Sequence, residues 1–287
     1  MVQGVKSNST LEKILSTVDE LPASPAIVNS VMGLTSDLDS TIEEVSRVLS
    51  SDQSLTAKVL RLSNSPYYGR TQEVTNLEEA VLLLGFSTVR SMVVATSARG
   101  LFNMENKDGW EAKLYRHSIS TAIASRQIAG HIKHPAKDQI FIAALLHDIG
   151  KLVLMQKIAS RYREVVEQVE SRSASFFDTE NGILGFTHCD VASILLKKWL
   201  FPSSLIEAIN EHHCPPAPEN GKPAPLAHVI NVGNYMAKKL EAGFNDCKIE
   251  NLEELESAKI LELDDEALEE IYEKFKEYYQ IEIKILE

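Results

Sequence analysis

The segment Ala144-Leu145-Leu146-His147-Asp148-Ile149-Gly150-Lys151 brings an adjacent histidine and aspartate to the C-terminal end of an apolar helical run, just ahead of a glycine. An isolated carboxylate in such surroundings would cost several kcal/mol to desolvate. A divalent cation removes that cost, because it neutralises the carboxylate and takes an imidazole nitrogen as a second ligand. The plainer alternative is a hydrogen-bonded His-Asp pair at a helix end, with Lys151 in solvent. Other histidines favour the metal. His117, His188 and the pair His212-His213 each fall on, or at the end of, a different expected helix. Dispersed, they would be ordinary core or surface residues that bind nothing. Gathered around His147-Asp148, they make a nest of five imidazoles and a carboxylate. His131, His134 and His228 lie outside this pattern and are expected to be structural or exposed.

The elements that must carry these side chains are helices. His117 shares a face with Leu114 and Thr121, so it points into a bundle. Thr187-His188-Cys189-Asp190 has a cap residue with an acid three positions on, which puts His188 in the first turn of its helix. His212-His213 ends a helix whose buried stripe is Leu205, Ile206 and Ile209. The apolar periodicity predicts helices over 110–129, 136–147, 160–170, 187–200, 203–211 and 225–240, with a proline-rich loop over 214–225. Ahead of them lie about six shorter helices. A first stripe over 11–21 stops at Pro22, Ser24-Pro25 restarts the pattern, and Ser40-Thr41-Ile42-Glu43 reads as a capping box. Further helices fit 52–62, 77–84 and 87–101, separated by Asn64-Ser65-Pro66 and Gly85-Phe86. The polar stretch 103–109 is the expected boundary. The reading is therefore all-α: a smaller N-terminal helical subdomain over 1–105, a helical bundle with the metal site over 106–242, and an acidic, largely helical extension over 243–287. That extension ends in the stripe Leu268, Ile271, Phe275 and Tyr278 and the alternating run Ile281, Ile283 and Ile285. It is expected to pack on the body or to form part of a homodimer contact.

Bulk composition excludes several classes. With 287 residues, 44% of them hydrophobic and 24% charged, the chain can bury a sizeable core. A net charge of -12 leaves no basic stripe for nucleic acid. Cys189, Cys214 and Cys247 are odd in number and form no Cys-x-x-Cys, which argues for small apolar fillers in a reducing compartment. No signal peptide is read at the N-terminus and no unbroken apolar run of about 20 residues occurs, so the expected location is the cytoplasm, away from membranes.

The order His117, His147-Asp148, His188, His212-His213 on a helical scaffold resembles the HD phosphohydrolase superfamily, especially its HD-GYP branch of cyclic dinucleotide phosphodiesterases. The front half resembles the HDOD family, the HD-related output domain of bacterial signalling proteins. The resemblance rests on Leu21-Pro22 to Pro25, Asp52 to Leu55, Leu60-Arg61-Leu62-Ser63-Asn64-Ser65 with Tyr67-Tyr68, and Ala80 to Leu84-Gly85. It implies that His117, His147 and Asp148 are metal ligands, that His188, His212 and His213 extend the site to two metals, and that Lys151 faces phosphate. The last superfamily ligand, an aspartate, is replaced by Asn234, which brings a carbonyl oxygen but no charge. Cys214-Pro215-Pro216 stands where the Gly-Tyr-Pro element of the HD-GYP branch is expected. The function implied is that of a signalling or regulatory protein working through contacts with other signalling proteins, with a retained site for one or two divalent ions of iron, manganese, nickel or zinc. The alternative is a metal-dependent phosphohydrolase or phosphodiesterase of a nucleotide, cyclic nucleotide or similar phosphorylated small molecule. Asp148 would then anchor the metal that activates water and Lys151 would neutralise phosphate.

Overall fold

The computed structural model describes residues 26–37, 39–64, 73–100, 109–134, 137–199, 201–218, 225–240 and 251–286. Among these, every regular element is helical, as the 3.6-residue periodicity requires. The described residues fall into two compact units, one drawn from Pro22–Leu101 and Tyr278–Glu287, the other from Phe102–Glu277.

The first unit contains α1 (Ala26–Ser36), α2 (Ile42–Ser50), α3 (Gln53–Ser63) and α4 (Leu77–Arg99), with the first three packed on the fourth. α2 starts one residue later than the sequence reading placed it. The capping box is Thr41 with Glu44, where each side chain takes the other's free backbone N–H. Two overlapping Ser/Thr-x-x-Glu patterns are present, and Thr41 supplies the extended cap geometry that leaves Val45 and Leu49 buried. Asp52 caps α3, whose Leu55, Val59 and Leu62 form the buried stripe. Asn64 then ties the chain back on itself, its amide donating to Val74 O and its carbonyl accepting from Val74 N, both at 2.8 Å. α4 is interrupted at Gly85, where φ is +76° and ψ 156°, a conformation that glycine adopts without strain. The break falls where Gly85-Phe86 announced it.

The second unit is built around α5 (Trp110–His131), which packs most heavily on α12 (Leu226–Lys239) and α6 (Lys137–Leu146). Gly233 permits the approach to α12: a Cβ there would lie 2.2 Å from Ser125 Oγ and 3.0 Å from Ser125 N. The remaining helices are α7 (Ile149–Lys157), α8 (Ala159–Arg172), α9 (Phe176–Leu184), α10 (His188–Lys198), α11 (Ser203–Asn210), α13 (Glu256–Ile260) and α14 (Asp265–Leu286), the last of which belongs to this unit as far as Glu277. A short 3-10 turn, Leu252–Glu254, precedes α13.

Two of these helices depart from the sequence reading. Gly150 reads as a terminator, yet the chain resumes a helix at Ile149 after a two-residue turn and runs to Lys157. α9 was not anticipated at all. Its buried positions Phe176, Glu180 and Leu184 are four apart, but the middle one is a carboxylate, so the apolar stripe is interrupted. The alternating isoleucines 281–285 continue α14 rather than leaving the helix. Readings placed on 1–25, 65–72, 101–108 and 241–250, including the 11–21 stripe, the Pro22 stop, Tyr67-Tyr68, most of the 103–109 boundary and Cys247, lie outside the described residues. Two segments are long and apolar enough to cross a membrane by composition, Leu77–Ser97 and Gln139–Lys157. The second is 83% buried and is broken by the His147-Asp148 turn, so packing in the core accounts for its apolar character.

Candidate metal centre

The chemistry-bearing side chains arrive from five separate stretches of the second unit. His117 comes from the middle of α5, His147 and Asp148 from the α6–α7 turn, and Lys151 from the first turns of α7. His188 is the first residue of α10, set there by the Thr187–Asp190 capping box as the sequence implies. His212 and His213 lie in the turn that follows α11.

The structure brings all of them together around Asp148. Its Oδ2 lies 2.7 Å from Lys151 Nζ, 3.3 Å from His147 Nε2 and 3.6 Å from His117 Nε2. Its Oδ1 lies 3.2 Å from His188 Nε2, and that nitrogen is 3.2 Å from His213 Nε2. His212 completes the ring, its centroid 4.8 Å from that of His147 and 5.6 Å from that of His188. His147, His188 and His212 are fully buried, Asp148 is 1% exposed and His117 4%. Only His213, stacked near Phe177, is partly open to solvent. The ligand atoms of His117, His147 and Asp148 lie within 4.8 Å of one another, as do those of His188, Cys189, His212 and His213.

The hydrogen bonds around this cluster set the tautomers. His147 Nδ1 meets Ala144 O and His212 Nδ1 meets Ile209 O, each at 2.7 Å. A carbonyl oxygen only accepts, so Nδ1 carries the proton in both rings and Nε2 presents a lone pair to the cluster. His147 Nε2 and His212 Nε2 are buried there without hydrogen-bond partners, and Asn234 Oδ1, on α12, is likewise buried with no partner among the described residues. Two inward-facing imidazole lone pairs beside a carboxylate, with no donor to satisfy them, are the arrangement a divalent cation completes. The donor set of imidazoles with one carboxylate suits iron, manganese, nickel or zinc.

Electrostatics keep most of these imidazoles neutral. Burial pushes His117 down to about 3, and it also holds His212 and His213 well below the ordinary histidine range. His188 goes the other way: burial opposes its charge, but the fields of Cys189 and Glu180 outweigh it and raise it well above 6.5. Burial likewise opposes ionisation of Asp148, yet His147 and Lys151 hold its carboxyl well below the usual range.

Some partners were not anticipated. Glu180, fully buried on α9, accepts from His188, and Asn231 Nδ2 donates 2.8 Å to His212 O. The thiol of Cys189, read as a filler, lies 3.8 Å from His212 Nδ1, the edge already committed to Ile209. Lys151, expected to face phosphate, is paired with Asp148 and lies over the Phe176 ring at 4.5 Å. Of the histidines set aside, His131 is exposed and His134 buried. His228 is structural: it joins Ser257 Oγ at 3.0 Å to Pro216 O at 2.8 Å.

Residues 21–215 match the profile of the HDOD domain. The chain belongs to the HDOD family. Solved structures share its fold. An HDOD domain protein of unknown function from Geobacter sulfurreducens has a TM-score of 0.76 at 26% identity, over 96% of this chain and 97% of that one. A candidate phosphohydrolase from Shewanella amazonensis SB2B has a TM-score of 0.70 at 24% identity, over 92% and 93%. A candidate signal transduction protein from Marinobacter aquaeolei VT8 has a TM-score of 0.72 at 20% identity, over 98% and 66%. The HDOD chain spans 41% of the length of a curated relative, an uncharacterized protein of Treponema pallidum (strain Nichols), to which it is 21% identical over 212 residues, 73% of its own length.

The neutral imidazoles make the metal-free HDOD protein acid-sensitive. In the unfolded chain a histidine takes up a proton near 6.5, whereas folded His117 resists until about 3. Stability contributed by such a group is therefore full above 6.5 and is lost as pH falls, by at most about 1.4 kcal/mol per pH unit per group. His212, His213 and His228, all lowered, add in the same direction. His188, raised, contributes fully below 6.5 and loses its share only as pH climbs through its folded value. The urea midpoint in EDTA should fall between pH 7 and pH 5; a rise over that interval would contradict the burial of these rings.

Proposed function

We propose that this HDOD protein is a cytoplasmic regulatory protein that carries a resident divalent-metal centre and acts on other signalling proteins through its surface. The observation that carries the reading is the convergence of His117, His147, Asp148, His188, His212 and His213, with the buried His147 Nε2 and His212 Nε2 left without a hydrogen-bond partner among the described residues. Those six residues would hold the ion or ions, and Asn234, whose buried Oδ1 has no partner among the described residues, would supply a neutral oxygen in place of a further carboxylate. Bound there, a divalent cation would act as a Lewis acid and lower the pKa of coordinated water. The chain's own groups favour holding over turnover. Asp148 is enclosed by Lys151 and imidazoles and is almost fully buried, and Lys151 is spent on Asp148 rather than presented to solvent. A net charge of -12 argues against nucleic acid as a partner.

A second reading, a metal-dependent phosphohydrolase, is favoured by the completeness of the histidine set and by a lysine beside it. His213 and Phe177 mark the side from which a small phosphorylated ligand would enter. Purified protein loaded with manganese or iron and given a panel of nucleotides, cyclic nucleotides and simple phosphoesters is expected to show no turnover above the metal alone. Hydrolysis that disappears in His147→Ala would overturn the regulatory reading and establish the enzyme.

A further inference from the structure

Glu180 is a fully buried carboxylate that the metal-centre reading leaves without a task. Its two oxygens are not idle. Oε2 accepts from the backbone N–H of His188 at 2.7 Å and meets the same residue's Nδ1 at 2.6 Å. Oε1 accepts from the hydroxyl of Tyr162 on α8 at 2.6 Å. A carboxylate only accepts when ionised, so the proton of the second contact sits on His188 Nδ1. Backbone and ring of one residue are thus clamped by a single oxygen. The ring is left with Nε2, which faces Asp148 Oδ1 and His213 Nε2, both at 3.2 Å. The same helix places Phe176, one turn earlier than Glu180, under the Lys151 ammonium. α9 therefore presents one face to the site and touches it through Glu180, Phe176 and Phe177, the last beside His213.

We propose that Glu180 is the positioning residue of the centre: through the His188 Nδ1–H it fixes that ring's orientation and tautomer and strengthens Nε2 as a metal ligand, with Tyr162 holding the carboxylate in place. This rests on the metal-centre reading and adds a role for a residue outside the ligand set. Carboxylates that accept from the far nitrogen of a ligating histidine raise its basicity and remove its rotational freedom, and their loss weakens binding by about 10- to 100-fold. The other two fully buried rings, His147 and His212, use backbone carbonyls for this purpose, at Ala144 and Ile209. His188 alone among these three receives a full negative charge.

The test is a cobalt(II) titration of the full chain, followed by visible absorption, for wild type, Glu180→Gln, His188→Ala and the double variant. Glu180→Gln is expected to raise the cobalt dissociation constant by about 10- to 100-fold while leaving helix content unchanged. In the His188→Ala background the same substitution is expected to change the constant by less than about twofold, because Glu180 acts through His188. An equal loss in both backgrounds would show a general structural role and overturn the proposal. So would wild-type affinity in Glu180→Gln. Should Glu180→Gln fail to fold, long-range 1H–15N spectra of zinc-loaded wild type decide the matter: the proposal requires a proton on His188 Nδ1 and zinc on Nε2, and the opposite arrangement refutes it. A wild-type protein that takes up no cobalt would instead remove the metal centre itself.

Discussion

Replacing Asp148 by alanine is expected to abolish tight divalent-metal binding and to destabilise the metal-free protein by about 3–5 kcal/mol. Asp148 is in contact with His117, His147, Lys151 and His188 at once. Its removal leaves the Lys151 ammonium, 5% exposed, without the charge that sits 2.7 Å away. A buried charge stripped of its partner is far more costly than the intact pair is stabilising. Asp148→Asn keeps the shape and an acceptor oxygen, so it should fold better than the alanine variant yet still lose metal, because the negative charge is gone. Urea denaturation in EDTA and a cobalt titration separate the two effects. Unchanged affinity in Asp148→Asn would mean that the ion is held elsewhere.

Gly150→Ala is expected to be the most damaging single-methyl change near the site. A Cβ at Gly150 would lie 1.9 Å from the backbone oxygen of His188, 2.8 Å from its carbonyl carbon and 3.0 Å from its Cα. No side-chain rotation relieves a clash with backbone, so α7 and the start of α10 must separate. Overpacking of this kind costs about 1–3 kcal/mol, occasionally more, and here it parts Asp148 and Lys151 from His188. Stability should fall by about 3 kcal/mol, and metal affinity should fall with it. Gly182→Ala is the matched control. Gly182 lies exposed within α9 with nothing within 4 Å of its would-be Cβ, so alanine there should stabilise the protein by about 0.4–1 kcal/mol. Thermal melts of the two variants should therefore move in opposite directions.

These variants also show which parts of the molecule the sequence discloses. His117, His147-Asp148, His188 and His212-His213 are legible because histidine and aspartate are conspicuous on apolar helices. Helix starts and stops, above all the Thr187–Asp190 cap, place them at ends that can converge. Glu180 is not legible for the opposite reason. As a carboxylate at a core position it breaks the apolar stripe of Phe176 and Leu184, so the pattern that should reveal α9 conceals both the helix and its function. Gly150 misleads in a related way. It reads as a helix stop, whereas its lack of a side chain serves the close passage of His188. Lys151 is found at the site but with a different partner, since the short spacing to Asp148 favours their own ion pair. Burial of a polar residue, and contact between distant backbones, are properties of tertiary packing that a linear periodicity does not encode.

Elemental analysis of the full chain, expressed and purified without chelator and without an affinity metal, bears most directly on the claim that separate helices bring these imidazoles and one carboxylate into a single cation-holding pocket. The account predicts at least stoichiometric iron, manganese, nickel or zinc that survives dialysis and is lost in His147→Ala. Wild-type protein carrying only trace transition metal after growth in metal-supplemented medium, no different from His147→Ala, would contradict it.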